Sequence, residues 1–172
     1  NYLWELWKRL DPASYVVLTA SSDDGAAAFD AEQAERGVRI ERVPGTTLFF
    51  PTAAALAAVR TCVADNAIDM VLLDPVLPLG LLGPHLGVPF GVILHGAEVT
   101  VPGRIPGARA ALGSVLRGAR LVVAAGSYPA AEGRHAAGEG IGPQVVIPPG
   151  VDTGTIVPLK AAERRAARTR LG

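Results

Sequence analysis

Short apolar or alternating runs recur along the 172-residue chain at Tyr15–Ala20, Val38–Val43, Ile68–Leu73, Pro89–Leu94, Arg120–Ala125 and Gln144–Ile147. Each has the length of a β-strand, and several are apolar at every position, as strands covered on both faces are. Between them apolar residues fall at helical spacing. Helices are expected over Ala26–Arg36, over Ala53 to about Asn66 with Thr52 as cap, and over Leu77–Leu86 with a glycine break. Further helices are expected from about Ala108 to Arg117 and from Ser127, as cap, to about Ala137. The chain opens with an amphipathic helix whose stripe is Leu3, Leu6, Trp7 and Leu10, ended by Asp11-Pro12. Ser21–Gly25, Thr100–Pro106 and Gly138–Gly142 read as loops, and Thr47–Phe50 as a short extended piece. Thr153–Leu159 reads as a linker, followed by a basic helix over Lys160–Leu171. Strands that alternate with helices predict an α/β fold, a Rossmann-like parallel sheet with helices on both faces.

In such a sheet the loops after the strands gather along one edge, where ligands bind. The residues delivered there are Asp74, His95-Gly96, Gly126-Ser127 and Pro149-Gly150. The sharpest of these stretches is Phe90–Val99, where a buried run stops at His95-Gly96 and Glu98 follows. An imidazole and a carboxylate at that edge sit where chemistry is usually done; the alternative is a satisfied loop histidine beside a solvated glutamate. Asp74 can bind a sugar hydroxyl there, or cap a turn with the proline that follows. Trp4 and Trp7 read either as an interfacial anchor or as part of a helix packed on the sheet.

Composition narrows the classes. Hydrophobic residues make up 49% and charged residues 19%, a globular balance. Sixteen basic residues match sixteen acidic ones, so net charge offers no argument for nucleic acid or for an anionic membrane. The basic residues do cluster between Lys160 and Arg170. A single cysteine, Cys62, excludes an internal disulfide framework, fits a reducing compartment, and lies in an apolar helical pattern as a core residue. No apolar run approaches membrane-spanning length, and no signal peptide is visible. The chain starts at Asn1 directly in a helical pattern, which leads us to expect an upstream segment.

Several familiar chemistries lack their patterns. Gly126-Ser127-Tyr128-Pro129 has proline where a nucleophile elbow needs glycine, and His95 precedes Ser127, against the hydrolase order. Ser127 therefore reads as a helix cap, with amides at the helix start that can hold an anion. Neither a dinucleotide fingerprint nor a phosphate-binding Gly-Lys-Ser/Thr loop is present. His85, His95 and His135 lack the companions or spacing of a metal site. His85 reads as a helix-end residue and His135 as a solvated one.

His95-Gly96-Ala97-Glu98-Val99, then Arg120–Ser127, then Val145–Asp152 resemble the N-terminal half of GT-B retaining glycosyltransferases of family 4. The chain is most similar to the GDP-mannose-dependent phosphatidylinositol-mannoside mannosyltransferases, with the match concentrated in Phe90–Asp152. The resemblance implies that residues 1–152 form the Rossmann-like acceptor-side domain, lacking its first strand. It implies that residues 153–172 are an interdomain linker and the first helix of a donor-binding domain. His95 would lie at the cleft, orienting hydroxyls and stabilising charge near the transferred sugar. Gly96, Glu98, Asp74, Gly126, Ser127, Gly150, Val151 and Asp152 would help bind substrate, with Glu98 setting the histidine loop. The co-substrate would be a nucleotide sugar, GDP-mannose, with no further cofactor and no metal. The acceptor would be a glycolipid, met at the inner face of the cell membrane by a cytoplasmic, peripherally bound enzyme. Nucleic acid would have no part.

The family's first strand and glycine-rich loop, and its diphosphate-binding arginine, lysine and glutamates, are absent from these residues. A phenylalanine usual after Asp152 is replaced by Thr155-Ile156. These residues alone are therefore expected not to transfer sugar. The alternatives are a GT-B enzyme with another nucleotide sugar and a noncatalytic Rossmann-like binding module. Front-face retention demands positioning and charge stabilisation more than a protein nucleophile, which suits a chain without a glycosidase carboxylate pair.

Overall fold

The computed structural model describes residues 2–21, 25–45, 48–154 and 156–172. Most of the loop expected at Ser21–Gly25, with Thr47 and Thr155, lies outside the described residues. The strands are β1 (Val16–Ala20), β2 (Arg39–Val43), β3 (Val71–Leu73), β4 (Phe90–Leu94), β5 (Leu121–Ala124) and β6 (Gln144–Val146). The α-helices are α1 (Tyr2–Trp7), α2 (Ala26–Glu35), α3 (Ala53–Asp65), α4 (Ala97–Gly103), α5 (Pro106–Gly118), α6 (Ser127–Ala137) and α7 (Ala161–Leu171). Every described strand pairing is parallel, and the sheets are flanked by helices in a Rossmann-like α/β arrangement.

The sheet comes in two pieces. β1 pairs with β2 alone, while β3, β4, β5 and β6 form a separate four-stranded ladder in that order. The core belongs to the larger piece. All five residues of β4 are buried, and Val92, Leu94, Val122 and Ala124 meet Leu112 and Leu116 of α5 in one apolar cluster. Gly91 lets this packing close up, since a Cβ there would stand 2.6 Å from the Leu72 side chain and 3.0 Å from the Leu121 carbonyl. In the smaller piece every residue of β1 is only partly buried. Cys62 is buried in α3, His85 ends a 3-10 helix over Leu79–His85, and His135 is exposed on α6.

Several boundaries differ from the expected ones. The strand expected from Ile68 begins only at Val71, because 66–68 are used to close α3: Asn66 N–H donates to Cys62 and Ile68 N–H to Val63. The loop expected at Thr100–Pro106 is largely helical, with α4 running on to Gly103 and α5 starting at Pro106. Proline at the first position of a helix removes a donor that has no partner there, so Pro106 opens α5 where it read as a break. The 77–86 helix is the tighter 3-10 form and contains Pro84. Leu48–Phe50 bends and does not extend. The opening helix stops at Trp7, which leaves Leu10 47% exposed and out of the expected stripe. Gly126, with φ 165 and ψ 173, occupies the cap position of α6, so Ser127 is the first helical residue and makes no cap hydrogen bond.

Among the described residues no helix is long and apolar enough to cross a membrane.

Leu94, fully buried in the middle of the larger sheet, measures how far the fold depends on this core. Leu94→Ala is expected to cost about 2–5 kcal/mol in urea unfolding, the range for a large cavity in a rigid interior. A loss below about 1 kcal/mol would mean that the larger sheet is not the stabilising unit.

Candidate functional site at the ends of β3 and β4

Register brings the site together. Leu73 lies opposite Val92, so β3 and β4 reach their carboxyl ends side by side and release Asp74 and His95 at neighbouring points. His95 Nε2 lies 3.0 Å from Asp74 Oδ1. Both side chains keep contact with water, 35% exposed for His95 and 24% for Asp74. With Asp74 ionised, Nε2 carries the shared proton and Nδ1 is left as the acceptor of the ring.

The turn that holds the imidazole is fastened by Glu98. Its carboxylate accepts the backbone N–H of His95 through Oε1, and Gly96 N–H at 3.0 and 3.1 Å through its two oxygens. Such charge-assisted bonds to backbone donors are among the stronger ones available. Gly96 adopts φ 158 and ψ −78, a conformation that L side chains rarely take, with no atom near where a Cβ would be. Glycine is needed here for its backbone freedom and not for space.

Tyr2 completes the cluster. Its ring stands edge-on to His95, centroids 5.3 Å apart and planes at 85°, and its hydroxyl donates to the Ile147 carbonyl at 2.7 Å. The start of α1 thus spans from the end of β4 to the end of β6. Burial pushes the Tyr2 phenol above its usual range, and the nearby Asp74 charge adds to the effect. The sequence reading passed over Tyr2, which lies off the apolar stripe of its helix. No periodicity marks it; only the fold places its ring against an imidazole 93 residues away in the chain.

Burial also raises the Asp74 carboxyl above the usual aspartate value; the His95 imidazole opposes this and Glu98 reinforces it. The carboxylate is thus held somewhat against its preference for water.

The remaining residues expected at the site are placed less centrally. Gly126 and Ser127 follow β5 at the neighbouring loop, Ser127 exposed, with the first-turn amides of α6 lacking a side-chain cap. Behind them Tyr128 Oη and Thr100 Oγ1 lie 3.1 Å apart and link α6 to α4. Gly150, Val151 and Asp152 lie in an exposed stretch beyond β6, where Asp152 Oδ1 accepts Gly154 N–H at 2.9 Å. From that end of the sheet it is the Ile147 carbonyl, through Tyr2, that reaches the histidine. Among the described residues no group of three histidine, cysteine, aspartate or glutamate side chains is arranged to hold a metal ion.

No family model matches this chain, and no curated protein matches it.

What the arrangement can do chemically follows from its parts. An imidazole pinned by a carboxylate through one nitrogen presents the other at fixed orientation, suited to hydrogen-bond a hydroxyl or to carry charge. The glutamate-fastened turn keeps it from drifting.

The raised Asp74 carboxyl has a sign that can be checked. In the unfolded chain this group ionises near pH ~4, whereas in the folded chain it holds its proton to higher pH. Its contribution to stability is therefore complete below the unfolded value and is lost as pH rises through the folded one. Relative to Asp74→Asn, the wild type is expected to lose urea stability as pH is raised from about 4 toward neutral. A gap of the opposite slope would show that attraction to His95 outweighs burial.

Proposed function

We propose that this chain is the acceptor-side domain of a retaining glycosyltransferase that resembles the GT-B enzymes of family 4. The donor is a nucleotide sugar, GDP-mannose, and the acceptor a phosphatidylinositol mannoside or similar glycolipid. One observation carries the reading: Asp74 and His95 lie 3.0 Å apart at the adjoining carboxyl ends of two parallel strands, part-exposed and held by a separate carboxylate. That is the edge at which α/β sheets bind ligands.

In this reading His95 orients the transferred sugar and stabilises charge as the glycosidic bond breaks, while Asp74 orients His95. Glu98 and Gly96 hold the turn, and Gly126 with Ser127 offers amides to an anionic group of the acceptor. Gly150 to Asp152 leads toward the donor side. The protein works in the cytoplasm and meets the membrane peripherally, with Trp4 and Trp7 as its apolar contribution. Trp4 stands edge-on to Phe29 and Trp7 tilts against Tyr15, so both indoles have packing roles besides.

Titration of the chain with a short-acyl phosphatidylinositol mannoside, followed by NMR, is expected to shift the His95, Gly96 and Gly126 resonances. His95→Ala is expected to weaken that binding roughly tenfold or more, about 1.4 kcal/mol, with a smaller change in the urea midpoint. Shifts scattered away from the β3 and β4 ends, or a loss of stability equal to the loss of binding, would return His95 to a structural role.

A further inference from the structure

Register sets three residues of the rim level with one another. Leu94 pairs with Ala124 and Ala124 with Val146, so the next residues of the three strands, His95, Ala125 and Ile147, stand side by side. Two further bonds carry the ladder to this level, Ala125 N–H to the Leu94 carbonyl at 2.8 Å and Ile147 N–H to the Ala124 carbonyl at 2.9 Å. β5 lies between β4 and β6, which puts His95 and Ile147 two strand spacings apart, about 9.6 Å. The Tyr2 side chain fills that interval. Its ring centroid is 5.3 Å from that of His95, and its hydroxyl is 2.7 Å from the Ile147 oxygen. It therefore crosses the exit of β5 and meets the imidazole from the side away from β3, the strand that supplies Asp74.

The imidazole needs this second hold. Glu98 holds the backbone N–H groups of the turn, and Asp74 holds Nε2. Neither fixes the plane of the ring. The torsion that turns a histidine ring is broad and roughly two-fold, so the rotamer does not fix it either. Nε2 lies at the far end of the ring, near the line of the Cβ–Cγ bond about which the ring turns, whereas Nδ1 lies farther from that line. A swing of the ring thus moves the free nitrogen more than the bonded one. The contact with Tyr2, planes at 85°, opposes the swing, since aromatic pairs favour the perpendicular arrangement. The hydrogen bond to the Ile147 carbonyl in turn keeps the phenol in place.

We propose that Tyr2 is a positioning residue for His95. Asp74 on one side and the Tyr2 ring on the other clamp the imidazole, so that its unbonded Nδ1 points in one direction. Tyr2 acts through the histidine alone and makes no bond to the reacting groups. A ring that is already oriented gives up little freedom when a hydroxyl binds to it, which makes it a more effective partner. The inference takes from the glycosyltransferase reading only that His95 is the working side chain of the rim, and its test needs no ligand.

Proton–nitrogen correlation NMR of the imidazoles at pH about 8.5, where histidine is neutral, reads the tautomer of each ring. In the wild type His95 is expected to hold its proton on Nε2, facing Asp74. Tyr2→Leu removes the aromatic ring, and the ratio of Nε2–H to Nδ1–H at His95 is expected to fall roughly fivefold. Tyr2→Phe keeps the ring and loses the bond to Ile147, and there the ratio is expected to fall only roughly twofold, a partial rescue. His85, at the end of the 3-10 helix, and His135, on α6, serve as references and are expected to keep their wild-type ratios. Should Tyr2→Leu fail to fold, Tyr2→Phe decides alone. A wild-type ratio at His95 in the folded variants, whatever their urea midpoints, would overturn the proposal and leave Tyr2 a structural contact. Equal changes at all three histidines would overturn it too. A wild type that binds no short-acyl phosphatidylinositol mannoside, with the His95 ratios changing as expected, would count against the glycosyltransferase reading and uphold the role of Tyr2.

Discussion

The structure depends on the burial of β4 from end to end. Parallel strands that are apolar on both faces place their polar residues only at their ends, and adjacent strands end at nearly the same level. Val92 opposite Leu73 on one side and Leu94 opposite Ala124 on the other fix those levels. Asp74, His95 and the Gly126 loop are neighbours because the core permits no other exit. The chemistry at the rim is in this sense a by-product of apolar packing beneath it.

At the rim itself each carboxylate has one task. Glu98 spends its oxygens on backbone amides and so sets the turn, whereas Asp74 addresses the imidazole. Geometry separates the two roles: Glu98 lies three residues after His95 and folds back on its own loop, while Asp74 arrives from another strand. The sugar-transfer reading draws on the second role, since an orienting partner from a neighbouring strand holds an imidazole against rotation better than a partner on the same loop.

The six described strands and the Thr52 cap of α3 were legible because local apolar patterning and parallel topology decide them. The Thr52 side chain accepts Ala55 N–H, as its position before an alanine-rich run suggested. Other features were hidden for physical reasons. The split between β1 and β3 cannot be read from either strand, since each run looks like an ordinary parallel strand whatever lies beside it. Ser127 lost the cap position to Gly126 because a serine next to an extended glycine carries no mark of which one begins the helix. The Asp74–His95 pair needed register, a long-range quantity, and Tyr2 needed the path of α1 across the sheet.

That path has a mechanical side. With its ring on the imidazole and its hydroxyl on the Ile147 carbonyl, Tyr2 works as a clasp between the first helix and the far strand. Any displacement of α1 must either stretch this clasp or carry the ring along. The histidine would then feel at a distance what touches the opening helix, and a lever of this kind can carry a displacement of α1 to the ends of β3 and β4.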